Sequence, residues 1–338
     1  MNAQTMLANT RQGIARAERS PDGTWSVTTV LDTPEICTLA RMPGSATTVY
    51  AGTRGAGLLR SEDGGRTWQA AGLPGQTVKA IGLTPANPQQ IIVGTKPPAL
   101  FLSRDGGETW QELAAFRKLR RWFWFTPAEP GDPYVMGLAV SPTNPDVIVA
   151  GVEFGGVFVS HDGGQTWRGH LRGTSRDCHA LTFHARDGRW AYQAGGGWPA
   201  AVSKDCGNTW QQPRRGMGWS LYAMACAADP YQPDVWYVSA APYVVLPEVQ
   251  KMPRAHWDGA ATASIFRMEG NGHWKRLHGG LPQPLDHMPY ALVTDPAAPG
   301  HLYAGLSNGV IWHTADYGDS WQQLPVKLPG VHYSLVIL

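Results

Sequence analysis

Glu153 and Asp177 are two carboxylates that lead in the chain to His179 and Tyr222. Carboxyl, imidazole and phenol groups are the side chains that take and return protons in hydrolases and lyases. Glu153 is the expected acid or base, Asp177 its carboxylate partner, and His179 and Tyr222 the partners in proton transfer. Arg54 and Lys96, with Arg11, supply cations that can hold a carboxylate or sulfate. Trp122, Trp124, Trp198 and Tyr243 offer ring faces on which a sugar can stack, and His287 and Tyr290 add polar contacts. A second chemistry is open to the same residues. His179, His287 and His332 with Glu153 make a donor set of neutral imidazoles and one carboxylate, which suits zinc or another first-row divalent ion. No His-x-His pair supports it locally. The cofactor expectation is therefore none, or a single divalent metal.

These residues are scattered over more than half the chain, so a repeated scaffold has to gather them. Ser61-Glu-Asp-Gly-Gly-Arg-Thr-Trp68 is nearly copied at Ser103 to Trp110, Ser160 to Trp167 and Ser203 to Trp210, and again at Thr314 to Trp321. Worn copies end at Trp25 and Trp274. The commonest spacing is the ~40–45 residues of one four-stranded propeller blade. Asp suits a tight turn because it bonds its own downstream backbone, and Gly takes positive φ without steric cost. The Trp that follows begins a strand and packs a large apolar face. The Asp residues of these turns are expected to be structural, not catalytic.

The pattern S-x-D-x-G-x-T-W resembles the Asp-box, or BNR, repeat of sialidases, sortilin-like receptors, xyloglucanases and photosystem II assembly factors. The resemblance implies a β-propeller of bacterial glycosyl-hydrolase-like type. Sialidases are six-bladed and hold a carboxylate with three arginines; this chain has neither that count nor an Arg-Ile-Pro type motif, so sialidase activity is not expected.

Pro-containing turns before short apolar runs mark the other strand boundaries, as at Pro142-Thr-Asn-Pro-Asp-Val-Ile-Val-Ala-Gly151. They predict an all-β, single-domain, seven-bladed β-propeller of four-stranded antiparallel blades. Six blades fall at about 35–76, 77–116, 134–172, 177–215, 220–281 and 287–327. Residues 331–338 supply an inner strand, and residues 4–30 the outer three, of a seventh blade that closes the ring and removes open sheet edges. Two segments exceed the repeat, 117–132 and 243–263, and both fall on the face opposite the Asp-boxes. Loops that outgrow a repeat commonly carry function. The inner strands open on that face with Lys79, Tyr134, Asp177, His179, Tyr222, His287, Tyr290 and His332. His184, His256, His273 and His301 read as ordinary loop or strand residues.

Charged residues are 16% of the chain and the formal net charge is +2. That balance gives no electrostatic case for nucleic acid or an anionic membrane as partner. No basic n-region followed by an apolar h-region opens the chain, and its four cysteines stand at no metal-ligand spacing, so a cytoplasmic protein with reduced thiols is expected. The expected partner is a small polar or carbohydrate-like ligand. A protein partner is the alternative, on a non-catalytic scaffold that uses the same face.

Overall fold

The computed structural model describes residues 4–33, 35–119, 124, 132–169, 171–242, 253–270 and 272–338. Antiparallel strands joined by tight turns dominate it. One sheet shows the plan. Val135–Val140, Ile148–Val152, Gly156–Ser160 and Arg168–Gly169 pair in chain order, with Leu138 opposite Ala150 and Ala150 opposite Phe158. Four other sheets have four strands each. One of these closes the ring: Leu335–Ile337 pairs with Thr5–Thr10, setting Met6 opposite Ile337. The protein is a β-propeller whose N- and C-terminal strands share one blade.

The remaining sheet has seven strands. Asp177–Phe183, Ala191–Gly196 and Ala200–Ser203 form one group, and Tyr222–Ala228, Val235–Ala241, Ser264–Glu269 and Trp274–Arg276 the other. One residue pair, Gly196 opposite Tyr222, joins them. A count of seven blades rests on dividing this sheet at that pair.

The Asp-box turns explain their own residue types. In the first, Asp63 Oδ1 accepts from the backbone N–H groups of Arg66 and Thr67, both at 2.9 Å, and Asp63 Oδ2 accepts from the Thr67 hydroxyl at 2.6 Å. Ser61 donates its hydroxyl to Asp63 and accepts from the Gly65 N–H. Asp105, Asp162, Asp205 and Asp316 repeat the arrangement. These hydrogen bonds hold the Asp63 and Asp105 carboxyls well below the usual carboxylate range. Every acceptor oxygen is used by the turn itself, which is a structural role.

The apolar core lies between neighbouring blades. Ile92, Leu100, Phe116, Val135, Ile148 and Phe158 make one such layer. Trp124 belongs to it: only 5% exposed, its ring lies 5.3 Å from that of Phe158. The expectation that Trp124 is an open sugar platform is therefore corrected. Its indole is consumed by packing between sheets. Trp122 and Tyr243 lie outside the described residues. Among the described residues, no helix is long and apolar enough to cross a membrane.

Candidate functional site

Six of the inner strands carry the same irregularity. Each has one extra residue near its start, where the register slips against the next strand: Cys37, Lys79, Met136, His179, Met224 and Tyr290. A bulge bends its strand and re-aims the unpaired side chain. All six of these side chains line one cavity of about 330 Å³ at the propeller axis. The closing blade completes the wall with His332, Tyr333 and Ser334, and Arg54 and Tyr134 reach it from neighbouring segments. The axial site is thus built from bulge positions, which strand alternation alone does not reveal.

Charge and aromatic character alternate around this wall. The Lys79 ammonium lies 4.3 Å from the centre of the Tyr134 ring, and that of Lys96 lies 5.8 Å from it. Tyr290, His332 and Tyr333 form a ring cluster, with centroids 5.6 Å apart for Tyr290 and His332 and 4.2 Å for His332 and Tyr333. Among the described residues, no Asp or Glu side chain lines the cavity.

His179 is the most constrained of its groups. Its Nδ1 donates to the Ala223 carbonyl at 2.7 Å. Its Nε2 stands 3.2 Å from Asp177 Oδ1, close enough for an ion pair. The two atoms are not aligned as a hydrogen bond, and neither finds another partner among the described residues. The contact is ionic in geometry. Burial opposes charge on His179, but the Asp177 carboxylate outweighs it, helped by the Ala223 carbonyl and by Glu153 farther off; the imidazole pKa is raised.

Three glycines, Gly195 to Gly197, leave room for this pair. A Cβ on Gly196 would stand 2.0 Å from Asp177 Oδ2 and 3.1 Å from the Tyr222 ring. Gly196→Ala is expected to push the carboxylate off His179 and to cost about 1–3 kcal/mol, as overpacking does. Urea unfolding checks the loss. An NMR titration of His179 checks the displacement, since its pKa then falls toward the ordinary histidine value.

His256 enters from the long connection between Val235–Ala241 and Ser264–Glu269. Its Nδ1 is 2.8 Å from the Tyr290 hydroxyl and its Nε2 3.1 Å from that of Tyr222. Tyr290 donates onward to the Ala255 carbonyl at 3.1 Å. The set is satisfied when Nδ1–H donates to Tyr290 and Nε2 accepts from Tyr222, which makes His256 a neutral imidazole. Burial, with the nearby His179 charge, lowers its pKa to about 4. His256 is therefore no ordinary loop histidine: it pins the connection to two inner strands.

His332 differs again. Among the described residues its ring makes no side-chain hydrogen bond, and it lines both the axial cavity and a second cavity beside it. Burial, then the charges of Arg11 and Lys79, lower its pKa to about 4. It is an imidazole kept neutral at physiological pH, with one ring nitrogen able to accept a proton.

The expected site residues sort as follows. Arg54, His179, Tyr290 and His332 meet in the axial cavity. Asp177 and Tyr222 touch His179 from behind, Tyr222 with its ring 4.6 Å away. Glu153 is only 4% exposed, is not among the cavity walls, and its backbone N–H donates to the Tyr134 carbonyl. Arg11 and His287 line the second cavity, where the Arg11 guanidinium pairs with Asp258 at 3.3 Å. Trp198 stands apart, its ring stacked by the Arg214 guanidinium at 3.1 Å. The metal expectation is corrected. Among the described residues, no three His, Cys, Asp or Glu side chains stand together as a metal-binding group, and His287 lines the second cavity, not the axial one.

The buried imidazoles set a pH dependence. The pKa values of His256, His313 and His332 are each lowered to about 4 by burial first. The unfolded chain binds these protons near pH ~6.5 and the folded chain does not. Their contribution to stability is present above that value and is lost as pH falls toward 4. His179 has the opposite sign: its contribution is full below pH ~6.5 and is lost as pH rises through its raised folded pKa. The melting temperature is expected to fall steadily from pH 6.5 to 4, and less steeply in His256→Gln. A flat profile over that interval would refute the assignment.

Comparison with known proteins agrees with the architecture. The family model described as BNR/Asp-box repeat matches residues 101–112 and 158–168. No curated protein sequence matches the chain. Among solved structures, an ancestral GH74 enzyme superposes with a TM-score of 0.65 at 18% identity, over 85% of this chain and 38% of its own. The GH74 xyloglucanase from Xanthomonas campestris gives 0.61 at 18% identity, over 86% and 45%. YCF48 bound to D1 peptide gives 0.56 at 13% identity, over 86% and 80%. The chain thus spans less than half the length of these two GH74 enzymes. At such identities the likeness is one of fold.

Proposed function

We propose that this chain, a β-propeller carrying the BNR/Asp-box repeat, is an acid–base hydrolase or lyase acting on a small polar, carbohydrate-like substrate in the axial cavity. One observation carries the proposal. His179 and His332 line the same cavity with pKa values pushed in opposite directions. Groups driven apart in this way are how one site holds a proton donor and a proton acceptor at one pH. His179, backed by Asp177, is the donor. His332, kept neutral, is the acceptor. Arg54 and Lys79 hold an anionic group of the substrate, and Tyr290 and Tyr333 flank the reacting atoms. Glu153 is reassigned from acid or base to a buried charge that supports His179. Asp177, expected as the carboxylate partner of Glu153, becomes instead the positioning residue of His179.

The test is a panel of neutral and acidic oligosaccharides, scored for new reducing ends and for the ultraviolet absorbance of an unsaturated sugar. Consumption of one class, lost in His332→Gln, supports the proposal. A panel left wholly intact sinks it.

A scaffold that binds a protein segment is the second reading. It is favoured by the likeness to YCF48, of which this chain covers 80%, and that protein was solved with a bound peptide. It predicts capture of a peptide with no substrate consumed.

A further inference from the structure

We propose that His301 and His313 form a binding site for a first-row divalent metal ion, with water completing its coordination. The site stands apart from the axial cavity and does not depend on the acid–base reading of that cavity.

Strand alternation brings the two rings together. Leu302–Leu306 and Val310–Thr314 pair antiparallel, with Tyr303 opposite His313. His301 immediately precedes the first of these strands. Side chains alternate along a strand, so position 301 shares a sheet face with position 303. His301 is therefore a diagonal neighbour of His313, within reach of a long side chain. The rings do meet: His301 Nδ1 lies 3.1 Å from His313 Nε2. Among the described residues, neither nitrogen makes any other hydrogen bond.

That separation suits a shared metal as well as a shared proton. Imidazole nitrogens bind first-row divalent ions at about 2.0–2.1 Å, so two of them on one ion lie about 2.9 Å apart at a right angle and about 3.3 Å apart at the tetrahedral angle. The observed 3.1 Å falls between these values. An ion replaces the proton with only a tilt of the His301 ring. Tyr303 holds the inner ligand in place, its ring stacked on that of His313 with centroids 4.3 Å apart and planes at 25°. A ligand locked by packing on a strand loses little freedom when it binds. His313 is 7% exposed, whereas His301 is only partly buried and leaves the ion and its waters a way in from solvent.

The donor set also chooses the ion. Among the described residues, no third His, Cys, Asp or Glu joins the pair. Two neutral imidazoles and water suit copper or nickel, and offer nothing to magnesium or calcium, which take carboxylate and carbonyl oxygens. Such an ion would tie the entry of one strand to the end of its neighbour. Tyr303 and Ile311 of these strands pack in one core with Met6 and Ile337 of the closing blade. Binding there would stabilise the blade against which the chain ends close, by mass action.

Isothermal titration of the full chain, free of any histidine tag, with Ni(II) tests the proposal. One equivalent is expected to bind the wild type, and Mg(II) is not. His301→Gln is expected to weaken Ni(II) binding by about 100-fold or more, the gain that comes from holding two ligands at once. His313→Gln must give the same loss, and His301→Gln, at the more open position, stands alone if His313→Gln melts early. Half an equivalent of Cu(II) gives a second readout. Its electron paramagnetic resonance spectrum should show two imidazole nitrogens in the wild type and one in His301→Gln. Equal Ni(II) affinity in the wild type and His301→Gln, binding of Mg(II) as tight as that of Ni(II), or the same nitrogen count in both Cu(II) spectra would each leave the pair as a shared-proton contact and overturn the site.

Discussion

Replacing His332 with Gln is expected to lower turnover of the panel substrate by about 100- to 10,000-fold, the range a positioned general base supplies. Among the described residues the ring makes no side-chain hydrogen bond, and it lines two cavities, so its unprotonated nitrogen is placed to take a substrate proton. Burial and the charges of Arg11 and Lys79 keep it unprotonated down to about pH 4. The wild-type kcat/KM profile should therefore hold its activity on the acid side to about that pH, a limb that Gln cannot reproduce. Gln fills similar space and removes no bond, so the melting temperature at pH 7 should change little. Turnover equal to wild type in His332→Gln would end the assignment of His332 as base. A joint collapse of melting temperature and turnover would show a packing role instead.

Asp177→Asn is the second large effect, and it falls on stability as well as activity. Breaking a buried ion pair by removing one partner costs about 3–5 kcal/mol, because the other charge is left uncompensated. Asp177 and His179 are both buried, with side-chain exposures of 10% and 1%. The cost should depend on pH with a definite sign. His179 has a raised folded pKa, so the pair's contribution is complete below pH ~6.5 and disappears as pH rises through that folded value. The difference in unfolding free energy between wild type and Asp177→Asn should be greatest near pH 6 and smaller near pH 9, read by urea unfolding at both. An equal difference at the two pH values would mean that Asp177 holds the strand end by shape and hydrogen bonding rather than by charge. Activity should fall in parallel, since the proton donor is then a neutral imidazole.

The propeller itself was legible in the residue pattern because its signals are local. Asp63 and its counterparts bond atoms within four residues of themselves, so Ser-x-Asp-x-Gly-x-Thr-Trp carries its turn wherever it sits. The closing of the ring by the chain's two ends follows from strand counting, and Met6 opposite Ile337 agrees. Lys79, His179 and Tyr290 were placed near the axis because inner strands begin there. The reasons that they face the cavity lay beyond local pattern. Each is the extra residue of a bulge, and so are Cys37, Met136 and Met224, which no chemical rule singles out. A bulge answers the curvature of a strand packed around the axis, which depends on the other blades and not on its own neighbours in sequence. His256 was passed over for a related reason: its partners Tyr222 and Tyr290 lie 34 residues away on either side.

Residue types along the chain thus settle the repeat, the turns and the ring, since those are decided within a few residues by φ preference and hydrogen bonding. Which way each imidazole's pKa moves is decided by folding alone. That of His179 is raised because a carboxylate two residues away opposes the burial that closure of the sheets supplies. The His332 pKa is lowered by burial and by the charges of Arg11, from the far end of the chain, and Lys79, from another blade. Desolvation and long-range charge have no sequence signature, because both are sums over whatever the fold places nearby.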